Sequence, residues 1–190
     1  MNILDNNAPA VEPVTLDQAR THLKLDVIDG ENPDDALVVD LIVAAREHVE
    51  NATQLIVASR TLTVFFDRFT DGEMELGVWP VTAVNSVIYE AYPNGYMTVP
   101  AAGYRLDESS KPAKLLNNMP WPQTTGRSGS VAVQVVAGFG SVPKAIKQAM
   151  LLLIGHWYEN REAVNIGNST SELPKAVDSL LDPHRIRQGV

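Results

Sequence analysis

No cysteine occurs in the chain. Disulfide scaffolds, thiolate zinc sites, iron–sulfur clusters and cysteine nucleophiles are excluded together, and a reducing compartment fits better than secretion. Long apolar runs are missing as well. The longest, Ala149 to Gly155, falls far short of the ~20 residues that span a bilayer. The opening, MNILDNNAPAVEP, has neither a basic region nor an apolar core, so no secretory signal is expected. Positive charge is scarce: 15 Lys+Arg against 23 Asp+Glu leave a formal net charge of −8. That balance argues against a protein that coats DNA or anionic membrane with its whole surface. At 190 residues the expectation is one or two domains that bury about 70% of the unfolded surface without a covalent staple.

The charge that is present is unevenly placed. Residues 1–55 hold eleven acids and only three bases, Arg20, Lys24 and Arg46, so this first third carries the whole −8. A solvated acidic face is one reading of such a run. A surface that repels a polyanion or meets a basic partner is the other.

Local patterns divide the rest. Residues 1–13 read as an extended arm. Thr15 with Gln18 makes a capping box for a short helix. Asn32, Pro33, Asp34 and Asp35 read as the N-cap, first position and acidic first turn of a second helix. That helix places Leu37, Leu41, Ala44, Ala45, His48 and Ala52 on one stripe, with Val38, Ile42 and Val49 widening it. From Arg60 the period becomes two, and six short strands are expected: 60–66, 74–78, 84–92, 96–99, 104–107 and 131–137. Asn94-Gly95 marks a hairpin. Asn117–Ser130, rich in Pro, Gly, Thr and Ser, is expected to be a long exposed loop. Pro143 opens a third helix to about Ala163, apolar nearly all round and so buried on several sides. Val164–Ser171 reads as a polar link. A short helix follows from Pro174 with Ala176, Val177, Leu180 and Leu181 inward, then a basic, loose end.

Chemistry-bearing patterns are few. The four histidines, His22, His48, His156 and His184, show no metal-ligand spacing. The acids from Asp26 to Asp35 lack a calcium-loop pattern. Gly138-Phe139-Gly140 lies between strand and helix, but Pro143 replaces the third glycine of a dinucleotide turn, leaving a tight connection. No GxSxG or Ser–His–Asp set stands out. We therefore expect no catalytic residue, no cofactor and no metal. The class is α+β: a helical part with an inserted antiparallel sheet.

Several phrases then match one family. VTLDQARTHLKLD (Val14–Asp26) and DDALVVDLIVAAREHVEN (Asp34–Asn51), LGVWPVTAVNSVIY (Leu76–Tyr89), VVAGFGSVPKAIKQAMLLLIGHWYENREA (Val135–Ala163) and LPKAVDSLLDPHRI (Leu173–Ile186) together resemble the head–tail connector (adaptor) proteins of long-tailed bacteriophages. The resemblance implies a non-enzymatic virion protein that forms a ring, usually twelvefold, beneath the portal. Such a ring extends the DNA channel and offers the tail a docking platform. The fold it implies is a helical bundle with a β-rich insertion between the second and third long helices. The expected parts are the arm 1–13, helices 14–58, insertion 59–141, and C-terminal helices with a basic tail 142–190, where 14–58 and 142–182 pack as one helical domain. Implied partners are the chain itself, the portal, a stopper or tail-side neck protein, and double-stranded DNA passing without sequence-specific contact; no membrane is involved. The expected place is the virion neck, assembled in the host cytoplasm.

The residues bear on assembly independently. Two helices with wide apolar faces offer the two different surfaces that a head-to-tail ring requires. We expect Tyr158 and Arg161 near a subunit interface, and His184, Arg185 and Arg187 as a contact with an acidic partner such as the portal. Asp34 and Asp35 are candidates to line the channel, where like charge keeps DNA from sticking. The alternatives are a neighbouring stopper or tail-completion protein, or a small enzyme or carbohydrate-binding module with Trp79, Trp121 and Tyr92 as an aromatic platform.

Overall fold

The computed structural model describes residues 2–5, 8–93, 95–160 and 175–186. Its elements in order are β1 (Asn2–Asp5), α1 (Leu16–Leu23), α2 (Asp35–Thr53), β2 (Arg60–Phe66), β3 (Glu73–Glu75), β4 (Val81–Ala91), β5 (Gly95–Thr98), β6 (Tyr104–Asp107), β7 (Lys114–Asn117), β8 (Val131–Ala137), α3 (Lys144–Glu159) and α4 (Lys175–Leu181). The class is mixed α+β, as expected. Two units emerge, each from segments distant in the chain: Met1–Ala10 with Ala58–Gly140, and Val11–Val57 with Ser141–Val190.

The first unit is built on alternation. A five-stranded sheet runs β1-β2-β8-β4-β5, antiparallel throughout. Branched residues at every second position supply its core: Leu62 and Val64 of β2, Val87 of β4, and Val131, Val133 and Val135 of β8 are all buried. A second sheet, β3-β7-β6, closes over Met74 and Leu115, and the Ala113 and Leu76 N–H groups extend its ladder to Val78 and Ala113 carbonyls at 3.1 and 2.9 Å.

Two strands were not legible beforehand. Residues 2–5, expected as part of an extended arm, form β1, because β2 offers them an open edge and the Arg60 Nε donates to the Asp5 carboxylate at 2.7 Å. Lys114-Leu115-Leu116-Asn117 carries no β-branched residue, yet it pairs on both sides as β7. The segment 117–130 is irregular but tied down. Trp121 stacks on Phe69 at 4.5 Å, the Thr125 N–H donates to the Glu90 carbonyl at 3.0 Å, and the Gly129 N–H donates to Asp67 at 3.0 Å. That amide, with Ser128, holds the Asp67 carboxyl below the usual range.

In the second unit α1 begins as its capping box requires: Gln18 N–H donates to Thr15 Oγ1 at 3.2 Å and Thr15 N–H to Gln18 Oε1 at 3.1 Å. The start of α2 lies two residues later than expected, with Asp34 rather than Asn32 at the N-cap. Asn32 instead closes the preceding turn, its Oδ1 accepting the Asp34 N–H at 2.8 Å while its own N–H donates to Asp35 at 2.8 Å. The buried stripe of α2 is also rotated from the expected one. Val38, Ile42, Ala45, Val49 and Thr53 are inside, whereas Leu37, Leu41 and His48 are half-buried and Ala44 is exposed. α2 packs on α3, and α3 on α4 and α1.

Ile146, Ala149, Met150, Leu153 and Ile154 of α3 are buried. The helix stops at Glu159, where Asn160 turns back to the His156 carbonyl with both its N–H (3.1 Å) and its Nδ2 (2.7 Å). In α4 the inward pair is Val177 and Leu181, while Ala176 faces solvent and Leu180 is half-buried. The Ile186 N–H donates to the Thr53 carbonyl at 3.0 Å, so the chain after α4 is anchored through residue 186 rather than loose. Among the described residues no helix is long and apolar enough to cross a membrane.

Candidate functional site

Polar side chains converge most densely where α1, α2 and α3 meet. Arg20, on the inner side of α1, donates from Nε to Asp35 Oδ1 at 2.7 Å and from Nη2 to Asp35 Oδ2. Its Nη1 reaches Asp17 at 3.1 Å. The guanidinium, and then the Asn32 amide, hold the Asp35 carboxyl below its ordinary range, and Asp35 in turn raises Arg20. One residue earlier, Asp34 accepts the Tyr158 hydroxyl, which crosses from α3. Two residues expected in different roles, an interface tyrosine and a channel acid, are thus partners within one subunit. Asp35 is likewise held by an internal bidentate pair. This cluster fixes three helices relative to one another.

A second cluster surrounds Arg46, only 6% exposed on α2. It donates to Glu12 at 3.0 Å and Glu50 at 3.2 Å, and Glu50 also accepts the Val57 N–H at 2.8 Å. His48 of α2 meets Trp157 edge to face at 5.9 Å, an ordinary packing contact for an imidazole.

At the C-terminal end, Arg185 pairs with Asp178 and Asp182, each at 2.8 Å. It therefore closes α4 upon itself, beside a half-buried His184. Arg161 and Arg187 lie outside the described residues, as does the link Val164–Ser171.

Nothing in these clusters makes reaction chemistry. Among the described residues no group of His, Asp and Glu is arranged to hold a metal. The three aromatics considered as a platform have different neighbours. Trp79 carries Lys111 over its ring at 4.1 Å and meets Phe139 edge-on; Trp121 stacks on Phe69; Tyr92 is 83% exposed at a hairpin end. A recess of about 230 Å³ beside Trp121 is lined by Tyr89, Val99, Met119 and three prolines. Of its polar atoms, the Tyr89 hydroxyl donates to Met97 Sδ at 3.7 Å and the Trp121 Nε1–H is buried without a hydrogen-bond partner among the described residues.

Residues 123–185 match the family model of phage gp6-like head–tail connector proteins. The matched segment spans about a third of the chain and takes in β8, α3 and α4. Solved structures extend the likeness in fold to the whole chain. A chain from the neck of an empty gene transfer agent (GTA) particle, computed with C6 symmetry, has a TM-score of 0.77 at 22% identity, with 100% of this chain and 98% of that one covered. A chain from the virion of a native GTA particle gives 0.78 with the same identity and coverage. One from the neck of a native GTA particle, computed with C12 symmetry, gives 0.75. No curated protein matches the sequence. The connector family and the matched neck chains are structural parts of particles, not enzymes.

The N-terminal phrases that resembled connectors, Val14–Asp26 and Asp34–Asn51, lie outside the matched family segment but inside the shared fold. What sequence reasoning missed is the pair of apolar strand edges at Ile3-Leu4 and Tyr96-Met97. The alternation at Tyr96–Val99 marked one of them as a strand; four residues at the chain start gave no signal for the other.

Proposed function

We propose that this chain is a structural neck protein of a phage-like particle. Copies form a twelvefold ring beneath the portal, join head to tail and continue the DNA channel. The observation that carries the reading is the end-to-end likeness to chains of GTA necks, 100% of this chain against 98% of the other, reinforced by the connector segment at 123–185.

The neighbours' C6 and C12 symmetries fit a head-to-tail contact that repeats and closes. The half-buried Leu151 and Leu152 of α3 and the exposed Val39 of α2 are apolar surface available for such contacts. In this reading Arg161 and Tyr158 lie near a subunit joint, and the segment of His184, Arg185 and Arg187 approaches the portal. Of the acids in the first third, Asp34 and Asp35 are engaged internally, so repulsion of passing DNA falls mainly to exposed ones such as Asp40 and Glu47.

The test is mass photometry of the purified protein with portal rings from the same genome. A discrete ring-sized mass gain on the portal is expected. No gain on an intact portal overturns the placement and favours a stopper or tail-completion role, to be probed with tail-side components.

A further inference from the structure

We infer that copies of this chain join through the two edges of the five-stranded sheet, β5 of one subunit adding to β1 of the next. This joint rests on the ring reading above and specifies one of its contacts. In the order β1-β2-β8-β4-β5 the outer strands are β1 and β5, and among the described residues neither has a strand on its outer side. Every residue of both is exposed.

Proteins blunt free edges with charge, proline or a bulge. Here the charge of Asp5 is taken by Arg60, and Gly95–Thr98 carries neither charge nor proline. Apolar groups stand there instead: Ile3 is 40% exposed, Leu4 54%, Tyr96 80% and Met97 43%.

The register shows why these four belong together. Ile3 lies opposite Val64, Val64 opposite Val133, and Val133 opposite Val87. Met97 lies opposite Tyr89, and Tyr89 opposite Val131. Residues paired across strands share a face, and these valines are fully buried. Ile3 and Met97 therefore extend the buried layer to its two rims, where it ends in solvent. Leu4, opposite Thr63, and Tyr96, opposite Glu90, stand on the reverse face, apolar side chains at the two ends of a polar, half-buried row. Each edge thus offers one large apolar side chain per face, and among the described residues no strand continues it.

The main chain agrees. The Val99 N–H donates to the Val87 carbonyl at 2.8 Å. By the alternation of an antiparallel ladder, Met97 and Gly95 bond toward β4, and the N–H and C=O groups of Tyr96 and Thr98 point outward.

Topology selects β5 with β1 over β5 with itself. Directions alternate along five strands, so β1 and β5 run the same way. Self-pairing of β5 about a two-fold closes a dimer and leaves Ile3 and Leu4 uncovered. Pairing β5 with β1 covers both edges and repeats until a ring closes. A joint of four residues is small beside the ~1,200–2,000 Å² of an independently stable interface. It forms where other contacts hold the subunits side by side, and the free protein stays monomeric.

Because the chain has no cysteine, engineered thiols report alone. The variant carrying both Leu4→Cys and Tyr96→Cys is assembled on portal rings and treated with a short bismaleimide that spans direct and diagonal cross-strand neighbours, about 5–8 Å. A ladder of covalent species rising to ring size, with each single variant remaining monomeric on the gel, is expected. A dimer from Tyr96→Cys alone, or no ladder from an assembled ring, overturns the joint while the ring stands. Failure of the wild-type protein to load the portal strikes the ring reading instead. Should the double variant not assemble, Leu4→Lys decides. About tenfold weaker loading with an unchanged melting curve supports the joint, since a charge now blocks the edge; unchanged loading overturns it.

Discussion

Gly138 shows how a single position can be dictated by backbone alone. It follows β8 with φ of +122°, and a Cβ there would lie 2.4 Å from Ser59 Cα and 2.6 Å from Ser59 N. Both neighbours are main chain and cannot step aside. Gly138→Ala is expected to cost about 3 kcal/mol or more, combining backbone strain with overlap, as read from urea denaturation. Gly140→Ala, where no atom lies within 4 Å, is expected to change stability by less than about 0.5 kcal/mol. Equal effects at the two sites would contradict this account. Asp107 is a second case. It accepts from the Ser109 N–H at 3.0 Å and hydroxyl at 2.5 Å, and from Ser110 at 2.7 Å. These donors, the serine hydroxyls first, lower its pKa to about 2. The folded value lies below the unfolded one, so the stabilisation is present above about pH 4 and is lost as pH falls toward 2. Asp107→Asn should therefore flatten the acid limb of a stability–pH curve relative to wild type. Parallel limbs would rule out the contribution.

At the scale of elements, helix starts and strand alternation carry most of the folding instruction. The Thr15–Gln18 box is formed as its spacing requires, and Thr15→Ala is expected to cost about 1 kcal/mol, measured by thermal or urea unfolding. Arg46 poses a different demand, since α2 buries it between Glu12 and Glu50. Its removal by Arg46→Ala leaves two carboxylates facing each other in a partly buried site, and a loss of about 3 kcal/mol is expected. A change below 1 kcal/mol would show that solvent screens the cluster. Neighbouring elements were legible to different degrees for physical reasons. The strands at 60–66, 104–107 and 131–137 announce themselves through branched or aromatic residues at alternate positions. β7, with two adjacent leucines between Lys and Asn, does not. The α2 stripe was misplaced because the helix is apolar around much of its girth, so periodicity left the direction of the core open by a fraction of a turn.

At the scale of the whole molecule, the proposed ring links stability to assembly. A protein that binds the portal only when folded is stabilised by about 2.7 kcal/mol when the portal stands at 100 times its dissociation constant. The melting temperature of the neck protein should accordingly rise with added portal, and stay constant when an unrelated ring of like charge is added. The candidate site was legible only in part at this scale. Tyr158 and Asp34, placed in separate roles, are hydrogen-bonded across 124 positions of sequence. Arg185 looked like a free basic end but is spent on Asp178 and Asp182. Charge counts along a chain do not reveal which charges neutralise one another after folding.

Local rules were enough to establish the absence of thiol chemistry, the acidic first third and the helix and strand alternation. These depend on composition or on residues three or four apart, where steric and hydrogen-bonding preferences act without the rest of the molecule. Tertiary structure decided what depends on distant segments meeting. It made residues 2–5 a strand, turned α2 by its packing on α3, drew Asp35 to Arg20, and left Ile3, Leu4, Tyr96 and Met97 at the rims of one sheet. Such features follow from which surfaces remain after the core has closed, and no local window of sequence contains that information.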